Sequence, residues 1–209
     1  MFLMRGWTAL VESGSGERGI FNRQAAIKQA AKNGRRDPNR EWGTNPCSEI
    51  ILAGPRTDPK TGNPIVGTGG QFCNLSEVVV RATDTIEDLE RKVRLATILG
   101  TVQATYTKFP YLRKVWEKNT AEERLLGVSL TGIMDNPLMT TANKGLAETL
   151  EHLKQVAVDT NKEWADRLGI EQSAAITCVK PSGTVSQLVD SASGIHARHS
   201  PYYIRTVRG

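Results

Sequence analysis

Apolar residues recur at helical spacing along two long stretches of the chain. The first opens at Thr85, which together with Asp88 matches the pattern of a capping box at a helix N-terminus. Its one-sided apolar positions are Ile86, Leu89, Val93, Ala96 and Val102. The second stretch runs from about Leu146 to Leu168 and is followed by Gly169, a residue type that commonly ends helices. Both stretches are therefore predicted to be amphipathic helices, each with one buried face.

Shorter segments lie around these two helices. Residues 78–80 and 174–179 are apolar runs without helical spacing, which is typical of buried strands. Residues 24–33 form a basic, helix-prone stretch, and residues 185–189 follow a turn and can begin another helix. The end of the chain, 201–209, also looks like a strand. Because helices alternate with buried strands, the pattern predicts an α/β fold.

Glycine and proline are concentrated in residues 54–70, whose sequence is GPRTDPKTGNPIVGTGG. Such a density of these two residues favours turns over continuous helices or strands. We therefore expect a surface excursion or a long hairpin between the apolar segment 50–52 and the segment that resumes at 71–75.

Composition places bounds on the function. The chain has 209 residues, of which 39% are hydrophobic, so it can form a sizeable core and wholesale disorder is excluded. We expect no membrane span, because no run of about 18 apolar residues occurs. The net charge of +5 suits an anionic small molecule as well as nucleic acid, and decides neither.

The three cysteines, Cys47, Cys73 and Cys178, include no CxxC pair, and the three histidines add no metal-ligand spacing. The odd number of cysteines argues against a secreted disulfide scaffold. We therefore expect free thiols, no metal site and a cytoplasmic location, where thiols are kept reduced.

Residues 14–19, GSGERG, match the glycine spacing of a dinucleotide-binding fingerprint. That fingerprint requires a strand before it and a helix that opens at its last glycine. Here Ile20, Phe21 and Asn22 interrupt the helix opening, and the candidate acid Asp37 lies in a loop. A glycine turn is the favoured interpretation, and a dinucleotide-binding oxidoreductase is the alternative.

Cys47 lies in the sequence Asn-Pro-Cys-Ser-Glu. One interpretation is a small buried residue after a turn, which is common for free cysteine. In an extended segment, however, Asn45, Cys47 and Glu49 project on one side. The carboxylate can take a proton and the amide can orient a hydroxyl, while the negative charge disfavours a thiolate. Chemistry of the neutral sulfur, by loss of a hydrogen atom, fits these neighbours better than ionic attack.

The other two cysteines are less informative alone. Cys73, in Phe-Cys-Asn-Leu, can meet Cys47 across the flexible excursion only if their Cα atoms come within disulfide range. Cys178 lies in the apolar run and is interpreted as packing.

Residues 180–184, Lys-Pro-Ser-Gly-Thr, join a predicted strand to a predicted helix. Free N–H groups and two hydroxyls at such a junction can hold an anion, but an ordinary capped turn explains them about equally well.

The tail of the chain carries three arginines, Arg198, Arg205 and Arg208. They fit a solvated or phosphate-facing edge better than a nucleic-acid surface.

Taken together, these motifs resemble a ribonucleotide reductase, specifically the adenosylcobalamin-dependent class II ribonucleoside-triphosphate reductases. The segments that carry the likeness are SGSGERGIFNR (13–23), NPCSEI (45–50), FCNLSEVVV (72–80), ERLLGVSLTGIMD (123–135) and CVKPSGTVSQLVDSASGIHARHSPYYIRTVR (178–208).

The resemblance implies a role for each motif residue. Cys47 is similar to the thiyl-radical cysteine that removes the substrate 3′-hydrogen, Glu49 to the base for the 3′-hydroxyl, and Asn45 to the residue that holds that hydroxyl. Cys73 matches one member of the redox cysteine pair that assists loss of the 2′-hydroxyl as water. The substrate-phosphate loop corresponds to Pro181, Ser182, Gly183 and Thr184.

The resemblance also implies a fold: an α/β chain forming part of a ten-stranded α/β barrel. A central finger loop, here near 44–52, would carry Cys47 to the barrel axis, away from water, and the phosphate loop would span 180–185. The whole of 1–209 would be a partial catalytic barrel domain.

The expected partners are a ribonucleoside triphosphate, a thioredoxin-like or other dithiol reductant, and the remainder of the enzyme in cis or in trans. Family members are several times longer, and their second redox cysteine lies upstream, so we expect no catalysis from this chain alone.

The alternative within the family is a large-subunit fragment of the metal-dependent class I, whose radical comes from a second subunit. The adjacent Tyr202 and Tyr203 are not assigned a radical-transfer role, because neighbours on a strand point to opposite faces.

Overall fold

The computed structural model describes residues 2–14, 19–32, 34–140, 144–204 and 206. The helices are α1 (Phe2–Ser13), α2 (Arg23–Ala31), α3 (Ile86–Gln103), α4 (Lys114–Glu123), α5 (Pro137–Thr140), α6 (Lys144–Leu168) and α7 (Thr184–Leu188), with a short 3-10 helix at Ile133–Asp135. The strands are β1 (Trp42–Thr44), β2 (Ile51–Ala53), β3 (Arg56–Thr57), β4 (Pro64–Ile65), β5 (Asn74–Val79) and β6 (Leu126–Thr131). No described helix has both the length and the apolar character needed to cross a membrane.

The main core forms around a parallel pair of strands. β5 pairs with β6 in a register that runs from Asn74 opposite Leu126 to Val79 opposite Thr131. Parallel strands need a long crossover, and here α3 and α4 supply it. α3 packs on both strands and on α6, so their apolar faces share one core. Leu89 of α3 is fully buried in that core.

A third extended segment lies along the free edge of β6. The Val128 N–H donates to the carbonyl of Ile176 (2.8 Å), and the Cys178 N–H donates to the carbonyl of Val128 (3.0 Å). Val128 and Thr177 form a single parallel bridge. The strand predicted for 174–179 is therefore an extended segment beside the sheet, with one bridge in place of a full ladder.

β1 and β2 form an antiparallel hairpin that carries the candidate finger loop. Trp42 pairs with Ala53 at its base, and Thr44 pairs with Ile51 near its tip. α2 packs against the base, where its alanines form a small buried cluster with Trp42 and Ala53. The base of the hairpin is therefore anchored, and residues 45–50 project from it.

Several predictions about single elements are confirmed. Thr85 and Asp88 form a complete capping box at the start of α3, and Gly169 follows α6 with a φ of 65°. The helix predicted at 24–33 is α2, the helix predicted at 185–189 is α7, and the excursion 54–70 contains the β3–β4 hairpin.

Two predictions about strands differ from the structure. Residues 201–204 form bends and coil in place of the predicted strand, and residues 205 and 207–209 lie outside the described part of the chain. The described residues also contain no closed barrel, since the sheets among them have two strands each. A barrel requires a continuous ring of strands, whereas here β5 and β6 are paired chiefly with one another.

Candidate active site

The tip of the β1–β2 hairpin is a tight turn closed by Asn45. The Ser48 N–H donates to the backbone carbonyl of Asn45 (3.0 Å), and the Ile50 N–H donates to its side-chain Oδ1 (3.1 Å). Ser48 has a φ of 62°, which lets the chain reverse direction within these few residues. The Asn45 Oδ1 is therefore occupied in holding the turn, while its Nδ2 is left to donate.

Cys47 lies at the outer end of this turn and is exposed. The expectation that Asn45, Cys47 and Glu49 share one side of an extended segment is wrong, because the segment is a turn. The expectation that Cys47 is shielded from water is also not met within the described residues. Residues 46–48 at the tip are exposed, whereas Trp42 and Ala53 at the base and Ile50 just after the turn are buried.

Glu49 follows the turn and points the other way, toward the protein interior. Its Oε2 is buried and receives no hydrogen bond from the residues that the structure describes. The negative charge of Glu49 contributes to raising the pKa of both the Cys73 and the Cys178 thiols. A carboxylate oxygen with an open acceptor site therefore lies within electrostatic reach of two thiols.

Cys73 and Cys178 are half-buried in one apolar cluster with Ile50 and Leu75. Burial is the main cause that raises the pKa of each thiol to about 12. For Cys73 the next cause is the neighbouring Cys178, and for Cys178 it is Glu49. Both thiols are therefore protonated at neutral pH and can act as proton or hydrogen donors. All three cysteines are free, so Cys47 and Cys73 are not joined.

The cluster converges on a glycine of β6. A Cβ built on Gly127 would lie 2.4 Å from the Leu75 Cδ2, 3.0 Å from the Ile50 Cδ1 and 3.1 Å from the Cys178 Sγ. These are closer than ordinary van der Waals contact, so a Cβ here would force the ends of these three side chains to shift. Gly127 therefore lets the base of the Cys47 turn, β5 and the Cys178 segment pack together.

The Ser182 side chain is buried and joins three segments of the chain. Its hydroxyl donates to the Thr131 Oγ1 at the end of β6 and accepts from the Gly194 N–H (3.1 Å). Thr131 in turn donates to the Ala192 carbonyl (3.0 Å). The Ser182 hydroxyl is thus engaged within the protein, and it does not project from the loop as a free ligand-binding group.

Pro181, Gly183 and Thr184 of the 180–184 loop are exposed, and Lys180 is half-buried. Gly183 has a φ of 53°, and its N–H donates to the Ser193 Oγ (3.2 Å). Pro181 and the Thr184 hydroxyl face solvent. An anion could therefore contact exposed Thr184 and the first turn of α7. Ser182 holds the loop in place through its hydrogen bonds within the protein.

Arg198 is held by carboxylates. Its Nε lies 2.9 Å from the Asp135 Oδ1, and its Nη1 lies 2.8 Å from the Asp190 Oδ1. These hydrogen bonds raise the pKa of Arg198, and the guanidinium lowers the pKa of Asp135. Arg198 is therefore engaged within the protein. The other two tail arginines, Arg205 and Arg208, lie outside the described residues.

Comparison with known proteins gives no matching protein-family model. The chain is 31% identical to the adenosylcobalamin-dependent ribonucleoside-triphosphate reductase of Lactobacillus gasseri over 195 residues, which cover 79% of this chain and 23% of that protein. The protein of the same name from Lacticaseibacillus paracasei is 29% identical over 231 residues, covering 96% of this chain and 28% of that relative.

A solved structure agrees with these two relatives. The crystal structure of a B-12 dependent (class II) ribonucleotide reductase superposes with a TM-score of 0.58 at 25% identity, covering 76% of this chain and 23% of that one. The chain is a partial homologue of the class II ribonucleotide reductases. It spans about a quarter of the length of these relatives, so the resemblance inferred from the motifs is confirmed for that part.

Homology to the reductases also resolves the glycine-rich segment 14–19. A helix, α1, precedes Gly14 where a dinucleotide site needs a strand, and α2 begins only at Arg23. The dinucleotide-binding alternative is therefore wrong, although residues 15–18 themselves lie outside the described part.

Sequence reasoning did not predict which residues lie beside Cys178. Cys178 does pack in an apolar cluster, as expected, but that cluster also contains Cys73 and is within electrostatic reach of Glu49. The apolar run around Cys178 concealed this proximity, since the two cysteines are more than 100 residues apart. The available signal was its position just before the 180–184 loop, on a segment predicted to pack as a strand.

Proposed function

We propose that this chain supplies the reacting cysteine, the base and part of the substrate-phosphate site of an enzyme that reduces ribonucleoside triphosphates to 2′-deoxyribonucleotides for DNA synthesis. The single observation that carries the proposal is the buried, unpartnered Oε2 of Glu49. Glu49 lies two residues after Cys47 and its charge contributes to raising the pKa of the Cys73 and Cys178 thiols, in a chain homologous to the class II reductases.

The proposed first step is removal of the substrate 3′-hydrogen atom by a Cys47 thiyl radical. Adenosylcobalamin, when bound, would supply the one-electron chemistry that converts the Cys47 thiol to its radical. The exposure of Cys47 at the hairpin tip fits this need, because a large cofactor can reach the sulfur there. Asn45 has its Nδ2 free to donate to the substrate 3′-hydroxyl, and the open acceptor site on Glu49 can take the proton of that hydroxyl.

The proposed second step is loss of the 2′-hydroxyl as water, with two electrons supplied by a dithiol. Cys73 is one member of that pair, and its thiol is protonated because burial raises its pKa to about 12. A protonated thiol can give its proton to the leaving hydroxyl, and the pair becomes a disulfide as the substrate gains two electrons. Cys47 then returns a hydrogen atom to the substrate 3′-carbon and is left as the thiyl radical again. A thioredoxin-like or other dithiol reductant in the cytoplasm then returns the disulfide to two thiols. In the resembling family the second cysteine lies upstream, in the remainder of the enzyme.

The proposed phosphate contact is the loop at Pro181, Ser182, Gly183 and Thr184. Cys178 lies beside Gly127 and Ser182 bonds Thr131, so the thiols and the loop are four residues apart along β6. At about 3.3 Å per strand residue this separation is about 13 Å. Such a span suits a nucleotide whose ribose lies over the thiols while its phosphates reach the loop, and the net charge of +5 favours an anion.

The test is reconstitution of the complete enzyme from this chain and the polypeptide that supplies the rest of the barrel. We expect deoxynucleotide formation only with both parts and adenosylcobalamin, and none from this chain alone. Cys47→Ser should abolish turnover, and Glu49→Gln should lower kcat by about two orders of magnitude, as expected for loss of a general base. Glu122→Gln, at an exposed carboxylate, is the matched control and should retain activity.

Full turnover by the Cys47→Ser enzyme would refute the proposal. Activity that needs a metal-containing second subunit in place of adenosylcobalamin would assign the enzyme to the class I alternative.

A further inference from the structure

One buried carboxylate connects the two cysteine-bearing segments to the body of the protein. Glu123, at the end of α4, pairs with Arg36: the Arg36 Nη2 lies 2.9 Å from the Glu123 Oε2, and the Arg36 Nε lies 3.2 Å from the Oε1. Both side chains are about 95% buried, with 6% and 5% of their surfaces exposed. The geometry is a two-point, charge-assisted contact of the kind that fixes orientation.

Arg36 connects Glu123 to the β1–β2 hairpin. Its Nη2 also donates to the carbonyl of Ile51 in β2 (2.7 Å), and its guanidinium lies 4.4 Å from the ring centre of Trp42 in β1. Both strands below the Cys47 turn are therefore held by one guanidinium, whose direction is set by Glu123.

Gln71 connects Glu123 to the segment that precedes Cys73. Its Nε2 donates to the Glu123 Oε2 (2.7 Å), and its Oε1 accepts from the N–H of Ala53 in β2. Gln71 is buried and lies two residues before Cys73. Glu123 is thus the point at which the hairpin, α4 and the Cys73 segment meet.

We propose that Glu123 is a positioning residue that sets the Cys47 hairpin relative to the Cys73 segment. Its carboxylate is the shared acceptor for both, so its loss frees Arg36 and Gln71 together and lets the hairpin take several orientations. The functional value of this order rests on the proposed reductase chemistry, which needs Cys47, Glu49 and Cys73 in one place. The positional claim itself concerns geometry and is measured without catalysis.

The experiment measures where Cys47 lies in solution. The parent is the full chain with Cys73→Ser and Cys178→Ser, so that a spin label attaches at exposed Cys47, plus Glu148→Cys on the exposed face of α6 for a second label. Pulsed electron paramagnetic resonance then gives the distribution of distances between the two labels. We expect a single narrow distribution in the parent and at least a twofold greater width after Glu123→Gln.

The matched control is Glu122→Gln. Glu122 is the adjacent residue on α4, and its carboxylate makes an exposed ion pair with Arg56 (3.1 Å). Its loss should leave the distance distribution unchanged. Arg36→Lys is the second variant, since it keeps the buried charge while losing the planar guanidinium fork, and it should also broaden the distribution.

A role limited to stability gives a different result. In that case Glu123→Gln and Arg36→Lys lower the melting temperature, but below it the distribution stays as narrow as in the parent, and the proposal is overturned. If Glu123→Gln does not fold, a narrow distribution in Arg36→Lys overturns it equally. Failure of the proposed reductase activity would leave the distance measurement unaffected, so the two can be judged separately.

Discussion

Replacement of Gly127 by alanine tests whether the candidate site depends on close packing against β6. The added Cβ would lie 2.4 Å from the Leu75 Cδ2, 3.0 Å from the Ile50 Cδ1 and 3.1 Å from the Cys178 Sγ. Real Cβ atoms do not approach other atoms as closely as the first distance, so at least Leu75 must move. Ile50 and Cys178 are also tight enough that they must give by a few tenths of an ångström.

The magnitude follows from two opposing effects. Overpacking a well-packed core typically costs about 1–3 kcal/mol. Against this, alanine in place of glycine within a strand gains about 0.5–1 kcal/mol through lower backbone entropy in the unfolded chain. The expected net loss in unfolding free energy therefore lies between about 0 and 2.5 kcal/mol, with a central value of about 1–1.5 kcal/mol.

The assay is urea denaturation followed by circular dichroism. With a slope of about 2 kcal/mol per molar urea, a loss of the central value moves the midpoint down by about 0.5–0.75 M. Gly43→Ala is the matched control, because Gly43 also lies in a strand and a Cβ there meets nothing within 4 Å. We expect that control to be neutral or slightly more stable than the parent. If Gly127→Ala matches Gly43→Ala in midpoint, the packing argument is wrong.

Two further predictions concern titrating groups. Iodoacetamide at pH 9 should label exposed Cys47 and spare Cys73 and Cys178 in the native chain, because burial raises the pKa of the latter two to about 12. Mass spectrometry of the peptides measures the labelling, and a urea-denatured sample, in which all three cysteines should react, is the control. Equal labelling of all three cysteines in the native chain would contradict the prediction. Arg198 lowers the pKa of Asp135, so this pair stabilises the fold above the unfolded carboxyl pKa of about 4 and loses that contribution as pH falls. Asp135→Asn should therefore be less stable than the parent at pH 7. Between pH 5 and pH 2 its unfolding free energy should fall by less than that of the parent. If the variant and the parent lose the same unfolding free energy over this range, the pairing is refuted.

Local chemistry made several elements predictable. The capping box at Thr85 and Asp88 forms as expected, and Gly169 adopts the left-handed conformation that closes α6. These features depend on residues three or four positions apart, whose contacts are set by helix geometry itself. The glycine- and proline-rich segment 54–70 likewise became a hairpin, because its turn residues restrict the backbone locally.

Two local features did not follow from residue types alone. The pattern Asn-Pro-Cys-Ser-Glu predicts an extended segment, but the Asn45 side chain accepts a hydrogen bond from the Ile50 N–H and closes a turn, so the three motif residues do not share a side. The residue types of the 180–184 loop left an anion site and an ordinary capped turn equally open, and Thr131 and Gly194 engage the Ser182 hydroxyl across 51 and 12 residues of sequence. The tertiary fold determines which groups a loop hydroxyl bonds to, and the sequence of the loop does not predict them.

The amino-acid sequence alone determined four of the helices (α2, α3, α6 and α7), the α/β class and the relation to the reductases, because periodicity, capping residues and short motifs are properties of neighbours. Tertiary structure alone decided that Cys178 packs in one cluster with Cys73, and that the Glu49 Oε2 is buried without a donor among the described residues. It also decided that Glu123 pairs with Arg36, 87 residues away. Those facts depend on which segments the core brings together, and burial then changes the chemistry of each group by removing water from around it.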